Sequence, residues 1–416
     1  MGWENYVWVI WIVSSLALVR LYICVFSHKT RLIANPAREK FGTPRILFQV
    51  TTKGNIPIVQ ETVDRINSVC REIGYQKYEV WVVTDAQERF KDCRTMSVPL
   101  DYNCNAIYKG RALQYAAEIR KKEKKNTEDI YVFHLDDESL ITKQTLCSVL
   151  TFLEDNPSPI SEGLIIYPVQ KNEKFRITHL IDTLRPFCCF ECLDFMHKGN
   201  PAYIHGSNLL IRSDVEEEVS WENGKTIAED TLFAVSARTK CGSSSFGWHG
   251  GVIEEKSPLS LRDLVKQRKR WFYGLIQNLK FIPLKERIVQ GSRALLWSLG
   301  FYSGVVSIIA LSIPQNMGLG YDRDYLIKPT FLIPQYMGLG HDLDYFIKTA
   351  FLITTVLWLL SYQIGGFFNG KYLPLRRRLL FHSLILVFSF FLGLIECATP
   401  ILALISRPKT FELVKK

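Results

Sequence analysis

The chain lacks the glycine-rich loops that hold nucleotides in dehydrogenases and ATPases. Its first predicted strand, Arg45 to Thr51, ends at Lys53-Gly54-Asn55, and no Gly-x-Gly-x-x-Gly or Walker sequence follows. Such loops provide the backbone N–H groups that bind phosphates in both classes of enzyme. Hydride transfer and ATP hydrolysis therefore lose most of their support.

The cysteines lack the spacing of a disulfide framework or a structural zinc site. Ten are present, and Cys188, Cys189 and Cys192 include one Cys-x-x-Cys, but no second pair follows at ligand spacing. Most of the others lie in a region that the charge distribution assigns to the reducing cytoplasm. We expect free thiols.

The positive charge lacks the distribution typical of nucleic-acid binding. The formal net charge is +10, but the basic residues cluster beside apolar segments and within Arg120 to Lys125. Cations that flank membrane segments favour anionic lipid headgroups as partners. We therefore expect membrane lipids and no nucleic acid as partners.

Long apolar segments predict a multi-pass integral membrane protein. Each is about 20 residues or longer, enough to cross a bilayer. The segments are Tyr6 to Phe26, Ala294 to Ile313, Phe346 to Phe368 and Leu379 to Ile405. The first lacks a small-residue cleavage site and is not a signal peptide. The last contains Glu396 and Pro400, so it either spans the membrane or bends back as a re-entrant hairpin.

These segments divide the chain into three predicted regions. Residues 1–28 form an N-terminal transmembrane helix, residues 29–292 a catalytic domain, and residues 293–416 a C-terminal membrane region of about three helices. Lysines and arginines flank the central region, so the positive-inside rule places it in the cytoplasm. Four spans would place the basic tail outside the cytoplasm, which conflicts with the positive-inside rule. Residues 313–352 are a tandem duplication, which we interpret as a lengthened outer loop.

The central region begins with a β-α-β pattern. Arg45 to Thr51 and Glu79 to Thr84 are apolar strands, and helical spacing of Val59, Val63 and Ile66 separates them. This order predicts an α/β fold with a largely parallel sheet. Because carboxyl ends of parallel strands share an edge, Asp85 is expected beside the end of the strand Ile130 to Leu135.

Three consecutive acids end that third strand. Asp136, Asp137 and Glu138 follow an apolar run directly, and carboxylate oxygens there suit Mg²⁺ or Mn²⁺. The alternative is the acidic start of a helix from Leu140 to Leu153, with Ser139 as its cap. Local sequence supports both interpretations equally.

Two polar segments elsewhere suit phosphate or sugar binding. Lys109 and Arg111 flank a glycine at a predicted helix start, which suits a diphosphate, although a solvated basic turn explains them equally well. His205-Gly206-Ser207-Asn208 has a glycine where a ligand can approach closely. We favour a partly buried, hydrogen-bonded His205 over a metal ligand.

Two further motifs lie on predicted helices. Glu229 and Asp230 begin an apolar helix, a place where acids are common. Gln267, Arg270 and Trp271 fall at positions i, i+3 and i+4 and share one face, which suits a diphosphate and a sugar. Taken alone, that segment is also typical of a basic helix at a membrane surface.

The ordered set of these motifs resembles the family 2 glycosyltransferases of the GT-A fold. Within them the chain is most similar to the egghead-type β-1,4-mannosyltransferases. The similarity lies in Thr52-Lys53-Gly54-Asn55-Ile56-Pro57, Val82-Val83-Thr84-Asp85, Gly110-Arg111-Ala112-Leu113-Gln114-Tyr115, His134-Leu135-Asp136-Asp137-Glu138-Ser139, Ala228-Glu229-Asp230, Glu255-Lys256-Ser257-Pro258 and Gln267-Arg268-Lys269-Arg270-Trp271. Asp137 and Ser139 replace an expected Glu and Thr, and a cysteine-rich stretch replaces the family's interfacial segment.

The resemblance implies a Rossmann-like mixed sheet and an inverting enzyme that moves mannose from GDP-mannose to a lipid-linked or glycolipid acceptor. It implies Asp230 as the base, Glu229 as its orienting partner, and a divalent cation, Mg²⁺ or Mn²⁺, on Asp136 and Glu138. Asp137 lies on the other side of an extended chain and is the acid least expected to touch the ion.

The resemblance also implies a donor site and an acceptor side. The donor and diphosphate residues are Thr52, Asp85, Lys109, Arg111, Asp136, Gln267, Arg270 and Trp271. The acceptor-side residues are His205, Gly206, Ser207 and Trp271. The amphipathic segment Phe175 to Met196 is either an interfacial acceptor entrance or a buried helix.

Two other functions stay open. A processive β-glycan synthase that uses a UDP-sugar shares the Gln-x-x-Arg-Trp motif, but about four spans are few for a polymer channel. A catalytically silent membrane scaffold would retain the fold, against which the complete acidic motifs argue. The residues that separate GDP from UDP lie outside the motifs.

Overall fold

The structure is a computed structural model that describes residues 16, 18–28, 31–34, 44–155, 157–312, 340–407 and 414–416. For residues 301–312, 340–352 and 354 it describes the backbone alone. The start of the predicted first span and the duplicated loop up to residue 339 lie outside the described residues.

The described residues form one α/β unit followed by three long helices. The strands are β1 (Arg45–Thr52), β2 (Tyr78–Thr84), β3 (Arg94–Ser97), β4 (Ile130–Asp136), β5 (Ile160–Ile166), β6 (Leu209–Arg212) and β7 (Phe246–Glu254). The helices are α1 (Leu18–His28), α2 (Ile56–Glu72), α3 (Tyr108–Lys122), α4 (Lys143–Asp155), α5 (Ile177–Ile181), α6 (Leu184–His197), α7 (Ser213–Val219), α8 (Glu229–Cys241), α9 (Leu261–Asn278), α10 (Leu284–Ser312), α11 (Gly340–Asn369) and α12 (Leu375–Ile405).

The seven strands form one mixed sheet in the order β3-β2-β1-β4-β6-β5-β7. Strands β1 to β4 pair in parallel, as do β5 and β7, whereas β6 is antiparallel to β4 and β5. The predicted α/β fold with a largely parallel sheet is confirmed. Helices α2 and α3 connect parallel strands, so each returns the chain to the edge at which the next strand begins.

Helix α2 shows how the apolar spacing builds the core. Val59, Val63 and Ile66 are fully buried, and they pack with the β1 residues Phe48 and Val50. Burial of one such side chain contributes about 1.5–3 kcal/mol of transfer free energy. The predicted apolar face is therefore the face that covers the sheet.

The register places three predicted site residues on one edge. Thr51 of β1 pairs with Asp136 of β4, and Thr52 pairs with Thr84, the residue before Asp85. Strand β7 runs in the same direction, so the residues after Glu254 reach that edge too. This carboxyl edge carries the candidate site.

The acids at the end of β4 do not begin a helix. Helix α4 begins at Lys143, and Leu140 instead forms an isolated bridge with Glu254 of β7. The expectation of a helix from Leu140, capped by Ser139, is wrong because these residues join the edge of the sheet.

The segment Phe175 to Met196 is mostly a buried part of the unit. It forms α5 and α6, and α6 buries Phe187, Phe190 and Leu193 against neighbouring elements. Helix α6 packs on β5 and on α11. The buried-helix interpretation is confirmed for most of this segment, and an acceptor entrance nearby stays a prediction.

Helix α12 is the one described helix long and apolar enough to cross a membrane. It runs without interruption through Glu396 and Pro400, so the re-entrant hairpin is wrong. The spans predicted from Ala294 and from Phe346 lie in α10 and α11, where many side chains are not described. The multi-pass arrangement stays a prediction.

The basic tail lies beside the α/β unit. The N–H of Leu259 donates to the carbonyl of Lys415 at 3.0 Å, and Lys416 pairs with Glu138. Residues 414–416, the described end of the tail, thus lie beside the catalytic region, and the side of the membrane on which the tail falls stays a prediction.

Candidate active site

Three carboxylates meet at the carboxyl edge of the sheet. Asp136, Glu138 and Glu255 each offer an oxygen within 4.8 Å of the others, and we call this group the acid rim. Asp137 is not part of it, because its carboxylate accepts a hydrogen bond from the Thr52 hydroxyl at 3.2 Å. Asp137 and Glu138 form a turn after β4, so this turn, and not the alternation of an extended chain, separates Asp137 from its two neighbours.

Serine hydroxyls hold the acid rim together. Ser139 donates to Glu255 at 3.1 Å and lies 2.7 Å from the Ser207 hydroxyl. The backbone N–H of Asp136 donates to both serines at 3.2 Å. Because the contacts among these hydroxyls and Glu255 are buried and those of the Asp136 N–H are partly buried, the β4 terminus, the loop at Ser207 and the end of β7 are fixed relative to each other.

Lys109 links the acid rim to the loop before β6. Its ammonium pairs with Asp136 and donates to the Gly206 carbonyl at 2.8 Å. Burial alone would raise the pKa of Asp136, but the charge and hydrogen bond of Lys109 outweigh it and lower that pKa. Asp136 is therefore held as a carboxylate.

Glycine at position 206 lets charged side chains approach the loop closely. A β-carbon there would lie 3.1 Å from Lys109 Nζ and 3.2 Å from Asp230 Oδ2. The missing side chain lets the candidate base approach the loop that holds Lys109.

Asp230 and Glu229 begin α8 and face the same group of charges. Burial raises the pKa of Glu229 to about 8, helped by the charge of Asp230. Burial also raises the pKa of Asp230, while Lys109 acts in the opposite direction. Both carboxyl groups thus have raised pKa values in a buried site where Lys109 supplies the opposing charge.

Arg111 and Asp85 form the second predicted contact on the edge. Arg111 Nη1 donates to Asp85 Oδ1 at 3.0 Å, and its Nε donates to the Tyr102 carbonyl at 3.1 Å. Arg111 lies on the first turn of α3, as predicted, so this cation is oriented toward the end of β2.

The Gln-x-x-Arg-Trp motif lies on α9. Ser260 caps this helix, because its hydroxyl accepts a hydrogen bond from the Asp263 N–H at 3.1 Å. Arg270 is close enough to Asp136, Glu229 and Asp230 for their charges to act on it. Trp271 instead contacts two guanidiniums, those of Arg185 and Arg268, at 4.3 and 4.4 Å from its ring centroid.

His205 belongs to a second cluster behind the loop. The backbone N–H of His205 donates to the Glu162 carboxylate, and its ring Nε2 lies 3.5 Å from Cys192 Sγ. These three side chains also have atoms within 4.8 Å of one another. The structure thus places His205, Gly206 and Ser207 on one loop, with Gly206 and Ser207 facing the charged site.

Sequence reasoning missed Glu255 as a member of the acid rim. It directly follows the apolar end of β7, just as Asp136 to Glu138 follow β4. An acid after a second strand that ends on the same edge was the available signal. Glu162 and Lys416 gave no such signal, because long-range packing brings them to the site.

The acid rim fits a divalent cation. Three carboxylate oxygens are hard ligands of the kind that Mg²⁺ and Mn²⁺ prefer. Lys109 and Lys416 contribute positive charge to the same carboxylates. Burial raises the pKa of Glu255 to about 7, with the Asp136 charge adding to the effect. A cation would relieve that repulsion.

Residues 131–404, more than half of the chain, match the sequence model described as glycosyl transferase family group 2. The chain is 31% identical over 285 residues to the β-1,4-mannosyltransferase egh of Drosophila melanogaster, covering 65% of this chain and 60% of the relative. It is 32% identical over 262 residues to the β-1,4-mannosyltransferase bre-3 of Caenorhabditis elegans, covering 60% and 56%. The chain thus spans less than two thirds of the length of these relatives.

Among solved structures, a mannosyltransferase from Pyrobaculum calidifontis in complex with GDP-Man and Mn²⁺ aligns with a TM-score of 0.49 and 15% identity. The alignment covers 88% of this chain and 98% of that one.

Proposed function

The chain belongs to the glycosyltransferases of family group 2, and from that premise we propose that it transfers mannose from GDP-mannose to a lipid-linked or glycolipid acceptor with inversion. The acid rim beside Asp230 and Lys109 is the observation that carries the proposal. The identity to two β-1,4-mannosyltransferases supports mannose as the sugar. The mixed sheet with its acids on the carboxyl edge supports the GT-A fold.

We assign the donor to the carboxyl edge. Asp85, oriented by Arg111, is placed to contact the base or ribose, and Thr52 lies beside it on β1. Arg270 and Gln267 on α9 face the diphosphate from the other side. Fixed cations around a departing diphosphate stabilise the charge that develops as the sugar bond breaks.

The acid rim would hold Mg²⁺ or Mn²⁺, which neutralises the diphosphate leaving group when bound. Asp136 and Glu138 are the predicted ligands, and Glu255 joins them in this proposal. Lys109 keeps Asp136 ionised and ready to bind.

Asp230 is proposed to take the proton of the acceptor hydroxyl as that oxygen attacks the sugar. Asp230 lies at the start of α8 and faces Gly206. We assign the loop of His205, Gly206 and Ser207 to the acceptor side. Glu229 orients its neighbour Asp230. Trp271 contributes to the wall of the pocket, with its ring braced by two arginines.

We propose a cytoplasmic catalytic domain attached to the membrane through several spans. Helix α12 has the length and composition of such a span. Membrane attachment would keep a water-soluble donor site near a lipid acceptor.

A donor screen tests this function. Purified full chain with Mn²⁺ is incubated with radiolabelled GDP-mannose, GDP-glucose, UDP-glucose and UDP-N-acetylglucosamine plus a lipid extract, and the lipid phase is counted. We expect mannose from GDP-mannose as a single addition. Asp230→Asn should lower kcat by roughly 10²- to 10⁴-fold, the usual contribution of a general base.

Asp137→Asn is the matched control, because Asp137 bonds to Thr52 rather than joining the acid rim. Its kcat should stay within about tenfold of wild type, which is a smaller loss than removal of a general base causes. Long polymer from a UDP-sugar would instead identify a processive synthase, and no transfer from any donor would identify a silent scaffold. Full activity of Asp230→Asn would overturn the base assignment.

A further inference from the structure

We propose that Glu396, on the apolar helix α12, positions the Gln-x-x-Arg-Trp motif through Arg268, so that the last long helix sets the geometry of the donor site. This inference rests on the proposed function, because Gln267 and Trp271 are assigned there to the substrate pocket. Glu396 is thus a positioning residue and touches no substrate itself.

Arg268 is held on every side. It is 1% exposed, and its Nε donates to both carboxylate oxygens of Glu396 at 3.1 and 3.0 Å. Its Nη2 donates to Asp182 at 2.5 Å. We call Arg268, Glu396 and Asp182 the arginine seam. A planar guanidinium with its nitrogens bound to two acids has one orientation.

The remaining nitrogen of Arg268 reaches the motif. Its Nη1 donates to the amide oxygen of Gln267 at 2.6 Å, and its guanidinium lies 4.4 Å from the ring centroid of Trp271. Both contacts depend on the orientation that the two acids impose. One buried side chain therefore fixes two of the three motif residues.

Helix α12 fixes Glu396 in turn. Pro400 lies four residues later and has no N–H, so the Glu396 carbonyl lacks its usual helical donor. Trp297 of α10 donates to that carbonyl at 3.1 Å, and the Thr399 hydroxyl donates at 2.7 Å. The backbone and the side chain of Glu396 are therefore both held, and α9, α10 and α12 meet at this residue.

The arginine seam is sensitive to the loss of one acid. Removing one partner of a buried ion pair leaves an uncompensated charge, and the remaining groups rearrange around it. Arg268 would then turn toward Asp182 and release Gln267. A shift of about 1 Å in a positioning group can cost roughly 10²-fold in rate.

Glu396→Gln in the full purified chain tests this, because it keeps the shape and removes the charge. We expect kcat for mannosyl transfer to fall about 30-fold and KM for GDP-mannose to rise, while the Mn²⁺ concentration that gives half-maximal activity stays within about threefold. A loss of turnover with an unchanged manganese requirement separates mispositioning from general unfolding.

Glu191→Gln is the matched control. Glu191 of α6 pairs with Arg293 of α10 at 2.5 Å, so it also joins the α/β unit to a long helix, but neither residue contacts α9 motif side chains in the described structure. Its Tm should fall as much as that of Glu396→Gln, with kcat within about twofold of wild type.

Arg268→Lys provides a second measurement. A lysine keeps the charge between the two acids but cannot also bind Gln267 and stack on Trp271. We expect kcat to fall as in Glu396→Gln with a smaller loss of Tm. Wild-type kcat in Arg268→Lys or in Glu396→Gln would overturn the inference, as would equal kcat losses in Glu396→Gln and Glu191→Gln. Failure of the proposed function is distinct, because wild type itself would then transfer no mannose.

Discussion

The acid rim and the arginine seam both concentrate buried charge, but they balance it differently. In the rim three carboxylates share the ammonium groups of Lys109 and Lys416, and the pKa of Glu255 rises to about 7 under burial and repulsion. In the seam one guanidinium donates to both acids with bonds of 2.5 to 3.1 Å. Each group has one more carboxylate than cations, so the difference lies in geometry: three carboxylates of the rim converge on one point where a cation can bind, whereas three of the four carboxylate oxygens of the seam accept hydrogen bonds from Arg268.

The largest effect is expected on the metal requirement of the acid rim. Glu255→Gln removes one carboxylate from the rim, and the Mn²⁺ concentration that gives half-maximal activity should rise at least tenfold, since even indirect partners of a metal ligand cost roughly 10- to 100-fold. Manganese titration of activity, with calorimetry of Mn²⁺ and GDP, measures this.

Glu396→Gln serves as the comparison in the same titration. Its manganese requirement should match that of wild type, because the arginine seam holds no ligand. A shift in both variants would show that the two regions are not independent, and a shift in neither would remove Glu255 from the rim.

The pH profile gives an intermediate effect. Burial raises the pKa of Asp230, so the base becomes protonated at a higher pH than an ordinary aspartate, whose pKa is about 3.9. We expect kcat/KM to fall about tenfold per pH unit below that raised value. Circular dichroism at each pH confirms that the protein remains folded.

The arginine seam should not move this profile. Glu396→Gln is expected to show the same acidic inflection at a lower plateau, because its effect is on position and not on the titration of Asp230. An inflection near pH 4 in wild type would contradict the effect of burial on the base.

The smallest effect concerns Lys416. Its ammonium pairs with Glu138, so a cation that binds there must displace it. Lys416→Ala should lower the Mn²⁺ concentration that gives half-maximal activity by roughly threefold. The apparent affinity of a site is proportional to the fraction of molecules in which the site is open, and the variant would raise that fraction. Lys415→Ala is the control, since within the described part of the chain Lys415 is held through its backbone carbonyl. An unchanged titration would show that Lys416 does not compete.

The sequence predicted the rim far better than the seam, for a physical reason. Local apolar runs identify the strands, and parallel pairing brings their carboxyl ends to one edge, so the acids Asp136 and Glu138 after β4 were expected on that edge. Arg268 and Glu396 are separated by 128 positions, and no local pattern links them. Their contact depends on how the long helices pack, which periodicity does not encode.

The same limit explains the errors. Ser139 and the acids before it have the composition of a helix cap, but the bridge between Leu140 and Glu254 draws that segment onto the sheet. The segment around α6 was ambiguous because amphipathic helices suit both a lipid surface and a core, and packing on β5 and α11 decides for the core. Long-range contacts overrode local propensity in both cases.

Gly206 gives the site a spacing that is defined by a missing methyl group. The carbonyl of this residue accepts a hydrogen bond from Lys109, and a β-carbon on it would meet both the Lys109 ammonium and the Asp230 carboxylate. A larger residue would therefore press at once on the cation that holds Asp136 and on the candidate base, so one backbone position affects both halves of the site.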